Sequence, residues 1–146
     1  MIRSRLLASV LLLAAPHVFT IDFKNVGAAP VILYDTPSTK GTRMYIAPRG
    51  MPLQVVSSYA EWVKVRDANG DLAWTEAKGL GPRRNLVVRT PGAKVFAGPD
   101  ETSPVLMTAD RGVLLELVDP TALTGIRKRH RDGNDGYVRA NDVWGL

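Results

Sequence analysis

A hairpin pattern occurs twice along this chain, and the repeat restricts the fold more than any other feature. Apolar and polar side chains alternate on both sides of Asn69-Gly70, with Trp62 and Trp74 near the two ends. An Asn-Gly pair favours a tight hairpin turn, because that turn needs positive φ. A weaker copy of the pattern covers residues 126–139. The chain is therefore predicted to contain two copies of one small β unit.

The two copies correspond at turns and at alternating apolar positions over most of the chain. The corresponding pairs are Tyr34 and Phe96, Pro37 and Pro99, Ala47 and Ala109, Arg49-Gly50 and Arg111-Gly112, Leu53 and Leu115, and Val56 and Val118. One added residue then aligns Arg66 with Arg129, Gly70 with Gly133, Trp74 with Tyr137 and Ala77 with Ala140. Matches at turn and core positions are typical of internal duplication.

Short strand candidates separated by turn signals fill both copies. In the first copy they cover residues 31–34, 43–47 and 53–57 and the two arms of the hairpin, after a lead-in at 21–26. In the second copy they cover residues 94–96, 104–107 and 114–118 and the weaker hairpin, after a linking strand at 86–89. Such spacing predicts an all-β fold of two small units, each of which is a barrel or a sandwich of five short strands. The break at residues 78–85 divides a first domain, 21–80, from a second, 81–146.

The N-terminal twenty residues have the pattern of an export signal. Arg3 and Arg5 precede a largely apolar run of ten residues, 6–15, which Pro16 closes. This run is too short to span a bilayer, which takes roughly 18 residues. We therefore predict a signal peptide at residues 1–20, a periplasmic or secreted protein, and no stable transmembrane anchor after processing near Thr20. A buried helix and an uncleaved anchor are the alternatives.

The residue inventory argues against catalysis. Cysteine is absent, which excludes thiolate nucleophiles and cysteine metal sites, and His17 and His130 are the two histidines. A zinc enzyme needs several His or acidic ligands, and the sequence contains no Gly-x-Ser-x-Gly nucleophile motif and no phosphate loop. The acid pairs, Asp67 with Asp71 and Asp132 with Asp135, occupy turns, where carboxylates usually bind the local backbone. We predict a protein that is not an enzyme, with no metal site and no cofactor.

The net charge gives weak information about partners. It is +5 for the whole chain and becomes +3 when Arg3 and Arg5 are removed. A mild excess of this size is poor evidence for an anionic partner. Nucleic acid is not expected, because export would separate the protein from it and no interleaved stacking aromatics accompany the basic residues.

Short motifs in both copies resemble those of bacterial SH3-like domains. The second copy has the first part of the family pattern: Val95, Gly98-Pro99, Ser103-Pro104-Val105-Leu106 and Arg111-Gly112. The first copy has the last part: Trp62-Val63-Lys64-Val65, Asn69-Gly70 and Ala73-Trp74. The resemblance implies a partly open five-stranded barrel in each copy. It also implies a binding role in the bacterial envelope, often on peptidoglycan or beside a wall hydrolase.

The second hairpin departs from the pattern of the first. Where the first copy has Trp62 and Val65, the second has Thr124 or Gly125 and then Lys128. Loss of a large aromatic side chain from a core weakens it by about 3–5 kcal/mol. We therefore expect Trp144 or Leu123 to fill the space, or else the two copies to pack together and share a core.

Four aromatic residues of the first copy are the main candidates for ligand binding. Flat rings offer a large contact area at little entropic cost, so Tyr34, Tyr59, Trp62 and Trp74 are predicted to form a groove for a peptide or a glycan. Burial tendencies and alternation predict that both Trp residues are core residues first and ligand contacts second. They leave Tyr34 and Tyr59 as the better candidates for exposed rings.

A basic run in the second copy is a further candidate. Arg127, Arg129 and Arg131 belong to the basic run 127–131, which is predicted to bind an acidic polymer or an anionic protein. Tyr137, the counterpart of Trp74, is a further candidate for ligand binding. The competing interpretation is a solvated sheet edge whose charges prevent strand-to-strand aggregation.

The sequence therefore predicts a non-catalytic binding protein of the cell envelope, with a wall component such as peptidoglycan as its partner. The alternatives are a periplasmic scaffold that binds another envelope protein, and a binder of anionic polymers through residues 127–131.

Overall fold

The computed structural model of this chain describes residues 21–119, 126–129 and 135–146. These residues form two antiparallel sheets of seven strands each. The first sheet contains β1 (Asp22–Val26), β2 (Val31–Tyr34), β3 (Arg43–Ala47), β4 (Pro52–Tyr59), β5 (Trp62–Arg66), β6 (Leu72–Glu76) and β7 (Leu80–Gly81). The second contains β8 (Asn85–Val88), β9 (Ala93–Phe96), β10 (Val105–Ala109), β11 (Leu114–Asp119), β12 (Ile126–Arg129), β13 (Asp135–Val138) and β14 (Val143–Trp144).

Helical structure in the described residues is confined to two short 3₁₀ turns. They cover Ala77–Gly79 and Ala140–Asp142, at equivalent places in the two halves of the chain. Within the described part of the chain, no helix has the length and apolar character needed to cross a membrane. The predicted signal segment, residues 1–20, lies outside the described residues.

The two sheets have the same strand order, which confirms the predicted all-β tandem architecture. The first runs β3-β2-β6-β5-β4-β1-β7, and the second runs β10-β9-β13-β12-β11-β8-β14. Each number in the second series is seven higher than its counterpart in the first. We call the two sheets, each with its own core, the first barrel and the second barrel.

The stretch predicted as a lead-in is an integral strand. β1 pairs with β4 on one side and with β7 on the other, so residues 22–26 are hydrogen-bonded within the first sheet. Its counterpart β8, predicted to link the domains, pairs in the same way with β11 and β14. The prediction of a lead-in is therefore wrong. A strand of only five residues, next to a partner strand of two, gives a weak alternation of apolar and polar residues in the sequence.

Each barrel has its own apolar core. The first core is built around Leu33, Leu53 and Val65, and the second around Leu86, Leu115 and Val138, all nearly inaccessible to solvent. Alternate residues of the strands point inward, as the period-two pattern requires. In the described residues the cores remain separate clusters, so the expected shared core is not formed, although the two barrels do contact each other.

The barrels meet through an aromatic pair and polar contacts. The Phe23 ring of the first barrel meets the Trp144 ring of the second edge to face, with centroids 5.0 Å apart. Asn85 Nδ2 donates to the Gly50 carbonyl at 3.0 Å, and the Arg84 guanidinium lies 5.6 Å from the centre of the Phe23 ring. Trp144 therefore packs between the barrels, which corrects the expectation that it fills the second core. Leu123, the other residue expected there, lies outside the described residues.

The repeated Arg-Gly pair has a structural cause. Gly50 and Gly112 take φ of 79° and 93°, a conformation that glycine adopts without steric cost. Each glycine N–H donates to the carbonyl at the end of the first strand of its barrel: Gly50 to Val26 at 2.9 Å and Gly112 to Val88 at 2.7 Å. The preceding arginines are left exposed on the surface.

The predicted first hairpin is formed by β5 and β6, but its turn is longer than an Asn-Gly pair alone implies. Gly70 has φ of 89°, whereas Asn69 does not take positive φ. The carboxylate of Asp67 closes the loop, because its Oδ1 accepts the backbone N–H groups of Asn69 and Asp71, both at 2.9 Å. The predicted turn at Gly133 lies outside the described residues.

A tyrosine is tied to this turn. The Tyr45 hydroxyl donates to Asp67 Oδ2 at 2.5 Å. Burial raises the pKa of the Tyr45 hydroxyl well above its ordinary value of 10.0, and the hydrogen bond to Asp67 raises it further. The folded state therefore favours neutral Tyr45 more than the unfolded state does.

This pKa shift predicts a loss of stability in alkali. The stabilisation is fully present below about pH 10, the ordinary tyrosine pKa, and is lost as the pH rises, because the unfolded chain ionises first. Urea unfolding at several values above pH 9 should show a falling free energy of unfolding. Tyr45→Phe should make that fall shallower, since phenylalanine cannot ionise. Equal slopes in the two proteins would contradict the assignment.

A candidate aromatic binding face

The strand register brings the four predicted aromatic residues of the first barrel to one side of the sheet. Tyr34 on β2 is the cross-strand partner of Trp74 on β6, and Trp62 on β5 is the partner of Tyr59 on β4. Trp74 is in turn the partner of Lys64, two residues beyond Trp62. Cross-strand partners and residues two apart on a strand share a face of a sheet. We call Tyr34, Tyr59, Trp62 and Trp74 the aromatic face.

Both Trp side chains lie on the outer side of the barrel wall. On β5 the inward residues are Val63 and Val65, which are buried, so Trp62 faces the other way and is half-buried. Trp74 alternates in the same manner with two buried neighbours on β6. The prediction that the two Trp residues belong to the core is therefore wrong. The small and β-branched residues between them fill the narrow interior, and the bulkier rings remain outside.

The two tyrosines differ in exposure. Tyr59 is 64% exposed, as predicted for a surface ring. Tyr34 is 7% exposed, so the prediction of an exposed Tyr34 is wrong. Its ring meets the Trp62 ring edge to face, with centroids 5.5 Å apart. Tyr34 therefore lies beneath Trp62 and supports its position instead of standing free.

Charged side chains surround the rings. Lys64 Nζ lies 6.0 Å from the centre of the Trp74 ring, at the outer limit of a cation-π contact. Glu76 is the cross-strand partner of Trp62, and it pairs with Lys78 at 3.0 Å. The hydrogen bond with Glu76 raises the pKa of Lys78, so this amine keeps its proton. The sequence analysis did not assign Lys64 and Glu76 to this surface. A signal was available, because Lys64 lies two residues from Trp62 and Glu76 lies two residues from Trp74, and residues two apart on a strand share a face.

A cavity of about 420 Å³ adjoins the aromatic face. Tyr34 belongs to both, and Glu76, the cross-strand partner of Trp62, also lines the cavity. The remaining lining residues are Gly27, Ala28, Ala29, Pro30, Val31, Ile32, Thr75, Lys78, Gly79 and Leu80. Binding pockets for small ligands commonly measure about 300–1,000 Å³ and combine apolar walls with few polar groups. Cavity and rings together make one continuous candidate surface.

The second barrel keeps part of this arrangement. Phe96 pairs with Tyr137 as Tyr34 pairs with Trp74, and Arg127 pairs with Tyr137 as Lys64 pairs with Trp74. Arg139, at the position of Glu76, holds its guanidinium 5.8 Å from the centre of the Phe96 ring. Its Nε also forms an ion pair with Glu101 at 2.6 Å. Among the described residues, the equivalent surface of the second barrel therefore has two rings, and it has a cation where the first barrel has an acid.

The basic run does not lie at a sheet edge. β12 contains Arg127 and Arg129 and is hydrogen-bonded to β11 on one side and β13 on the other. An inner strand needs no charges to prevent strand-to-strand pairing, so the solvated-edge interpretation is wrong. Arg131 lies outside the described residues.

The described acidic residues can be compared with the roles predicted for them. Within the described ranges no three His, Asp or Glu side chains are grouped so that they could hold a metal ion. The carboxylate of Asp67 is taken up by Tyr45 and by the backbone of its own turn. This arrangement supports the structural role predicted for acids on turns.

The fold and its surfaces define the class of this protein, a tandem pair of small antiparallel β-barrel domains. The sequence profile described as "Bacterial SH3 domain" matches residues 27–80 and again 90–145. Since these matches cover more than half of the chain, the protein belongs to the bacterial SH3 domain family. A search of curated proteins found no match.

Several solved structures are similar to this chain at low identity. NlpC2 from Trichomonas vaginalis is 13% identical with a TM-score of 0.40, over 86% of this chain and 48% of that one. An NlpC/P60 family protein from Bacillus cereus ATCC 10987 is 14% identical with a TM-score of 0.39, over 84% and 56%. The endolysin LysPBC5 CBD is 14% identical with a TM-score of 0.32, over 84% and 92%. The chain spans about half the length of the first of these structures. The family assignment rests on the two sequence matches.

Proposed function

We propose that this protein is a non-catalytic binding protein of the bacterial cell envelope, and that its aromatic face holds a wall component, with peptidoglycan as the first candidate. The observation that carries the proposal is the grouping of Tyr34, Tyr59, Trp62 and Trp74 on one side of the first barrel, beside the adjoining cavity. Membership in the bacterial SH3 domain family supports it.

The chemistry of the aromatic face suits a polymer with alternating apolar and polar surfaces. The rings of Trp62 and Trp74 are half-buried, so each is held in place while part of it remains open to a ligand. A held ring contributes contact area without losing rotamer freedom on binding. The Glu76 and Lys78 pair at the rim supplies one acceptor group and one donor group. Sugar rings and short peptides both offer this combination of apolar faces and hydrogen-bonding groups.

Export is part of the proposal. Arg3, Arg5 and the ten-residue run at 6–15 support a signal segment over residues 1–20, followed by domains at 21–80 and 81–146. The absence of cysteine is compatible with an oxidising compartment, where a free thiol would be vulnerable. We propose that the processed protein functions outside the cytoplasm, either in the periplasm or after secretion.

Sedimentation with isolated peptidoglycan tests the function. The purified chain should appear in the pellet, and it should remain there when salt rises from about 50 to 200 mM, because ring contacts do not depend on counterion release. Binding that disappears over this range would instead favour the anionic-polymer alternative. Failure to pellet at low salt would remove the wall-component proposal.

Recognition of an envelope protein is the second candidate. Met44 and Ile46 on β3 are 49% and 66% exposed, and exposed apolar side chains next to a binding face are a feature of protein interfaces. Ile46 pairs with Ile32, which lines the cavity beside the aromatic face. This alternative would be established if the protein did not bind peptidoglycan but retained one envelope protein, and if Ile46→Asp abolished that retention.

A further inference from the structure

A second cavity lies between the two barrels, apart from the aromatic face. Its volume is about 530 Å³. The first barrel contributes Tyr45, Ile46, Ala47, Pro48, Met51, Leu53, Asp67, Ala68 and Asn69, and the second contributes Val87, Val88, Arg89, Arg111 and Gly112. Neither barrel alone would enclose it.

The walls of this junction cavity are mainly apolar. Met51 is half-buried and Val87 is buried, while Leu53 and Val88 belong to the first and the second core, so the cavity reaches from the surface to the edge of both cores. The turn that carries Pro48 and Met51 is held against the second barrel by the hydrogen bond from Asn85 to Gly50. The junction is therefore fixed by defined contacts close to the cavity. An apolar ring or chain would lose water contact on entering it.

The charges of the junction cavity are unequal. Among the described residues that line it, Asp67 is the one acid, and its carboxylate already accepts hydrogen bonds from Tyr45 and from two backbone N–H groups. Two arginines of the second barrel, Arg89 and Arg111, also line the cavity. Arg89 Nε donates to the Asn141 carbonyl at 3.0 Å, which fixes the base of its guanidinium. Arg111 is exposed and forms no ion pair with the described residues. The cavity thus offers two guanidinium groups to an anion, against one carboxylate whose hydrogen bonds are already made within the protein.

We propose that the junction cavity is a second ligand site and binds a small amphipathic carboxylate. The apolar body lies against Met51 and Val87, and the carboxylate pairs with Arg111, with Arg89 as the neighbouring cation. Guanidinium and carboxylate groups form short charge-assisted hydrogen bonds, often two in parallel. The site needs both barrels, which gives the tandem arrangement a role in recognition.

Titration with 3-phenylpropanoate, followed by amide chemical shifts of the full chain, tests this site. Saturable shifts should centre on residues 45–47, 67–69, 87–89 and 111–112. The neutral analogue 3-phenylpropanamide should bind about 10-fold more weakly, because it lacks the charge that pairs with arginine. Arg111→Gln should weaken carboxylate binding by about the same factor.

Arg49→Gln is the matched control, because Arg49 occupies the equivalent Arg-Gly pair of the first barrel and does not line this cavity. It should bind the carboxylate as the unchanged protein does. Ala68→Tyr provides a second variant, which fills the cavity from the first hairpin and should abolish the shifts while the spectrum remains dispersed. Equal binding of acid and amide, or full binding by Arg111→Gln, would overturn the proposal. Arg111→Gln is expected to leave retention on peptidoglycan unchanged, so failure of this proposal can be distinguished from failure of the wall-binding proposal.

Discussion

Leu53→Ala is expected to lower the free energy of unfolding by about 2–5 kcal/mol, the range for deletion of a fully buried leucine side chain. Leu53 has no solvent exposure and lies in the core of the first barrel. The substitution removes buried methyl groups and leaves a cavity that the surrounding residues close only in part. Urea unfolding followed by Trp fluorescence measures the change.

The duplication supplies a matched experiment in the second barrel. Leu115 occupies the equivalent position, with 1% exposure, so Leu115→Ala should lower the free energy of unfolding by a similar amount. Ile46→Ala and Leu106→Ala are the controls, because these side chains are 66% and 51% exposed. Each control should change stability by less than about 0.5 kcal/mol.

The pair of core variants also reports on coupling between the barrels. If the contacts of Phe23 with Trp144 and of Asn85 with Gly50 join the barrels into one cooperative unit, each variant should shift a single transition. Two resolved transitions, of which only one moves in each variant, would show that the barrels unfold independently. A change below about 1 kcal/mol in either variant would contradict the core assignment of that leucine.

Turn chemistry and internal repetition made most of the fold predictable. Gly50 and Gly112 need positive φ, and that requirement is local, so the Arg-Gly pairs appear in the sequence at corresponding positions. The same repeat aligned Tyr34 with Phe96 and Trp74 with Tyr137, and the backbone pairs these residues alike in both sheets. Signals that depend on a few neighbouring residues are readable without a structure.

The direction of the aromatic side chains was not predictable in the same way. Alternation shows that Trp62 and Val63 face opposite sides, but it does not tell which side is the interior. Hydrophobicity favours the larger ring as the buried one, whereas the narrow barrel accommodates the smaller Val63. The identity of the inner face is a property of the closed sheet, which depends on partners far away in the sequence.

The junction cavity was beyond sequence reasoning for a related reason. Its lining comes from two domains, and the positions of Tyr45 and Arg111 relative to each other depend on how the barrels meet. That contact rests on single side chains such as Phe23 and Asn85, which carry no periodic signal. Duplication therefore reveals each barrel but not the surface created between them.

Trp62→Ala is expected to weaken retention on peptidoglycan by about 30-fold or more, which is the effect of removing an aromatic residue that anchors a binding surface. Trp62 covers Tyr34 and is the cross-strand partner of Tyr59, so it stands at the centre of the aromatic face. The substitution removes the contact between the Trp62 ring and the ligand, and it leaves the Tyr34 ring without the side chain that packs against it. The amount of protein left in the supernatant at increasing peptidoglycan concentration measures the effect.

Trp144→Ala is the matched control, since Trp144 is also half-buried but packs against Phe23 at the junction. It is expected to destabilise the contact between the barrels while retention on peptidoglycan remains. Both variants must stay folded, which their unfolding midpoints will show. Loss of retention in Trp144→Ala together with full retention in Trp62→Ala would move the wall-binding surface from the aromatic face to the junction. Because the two substitutions remove the same side chain, a difference between them reports position and not general loss of hydrophobic area.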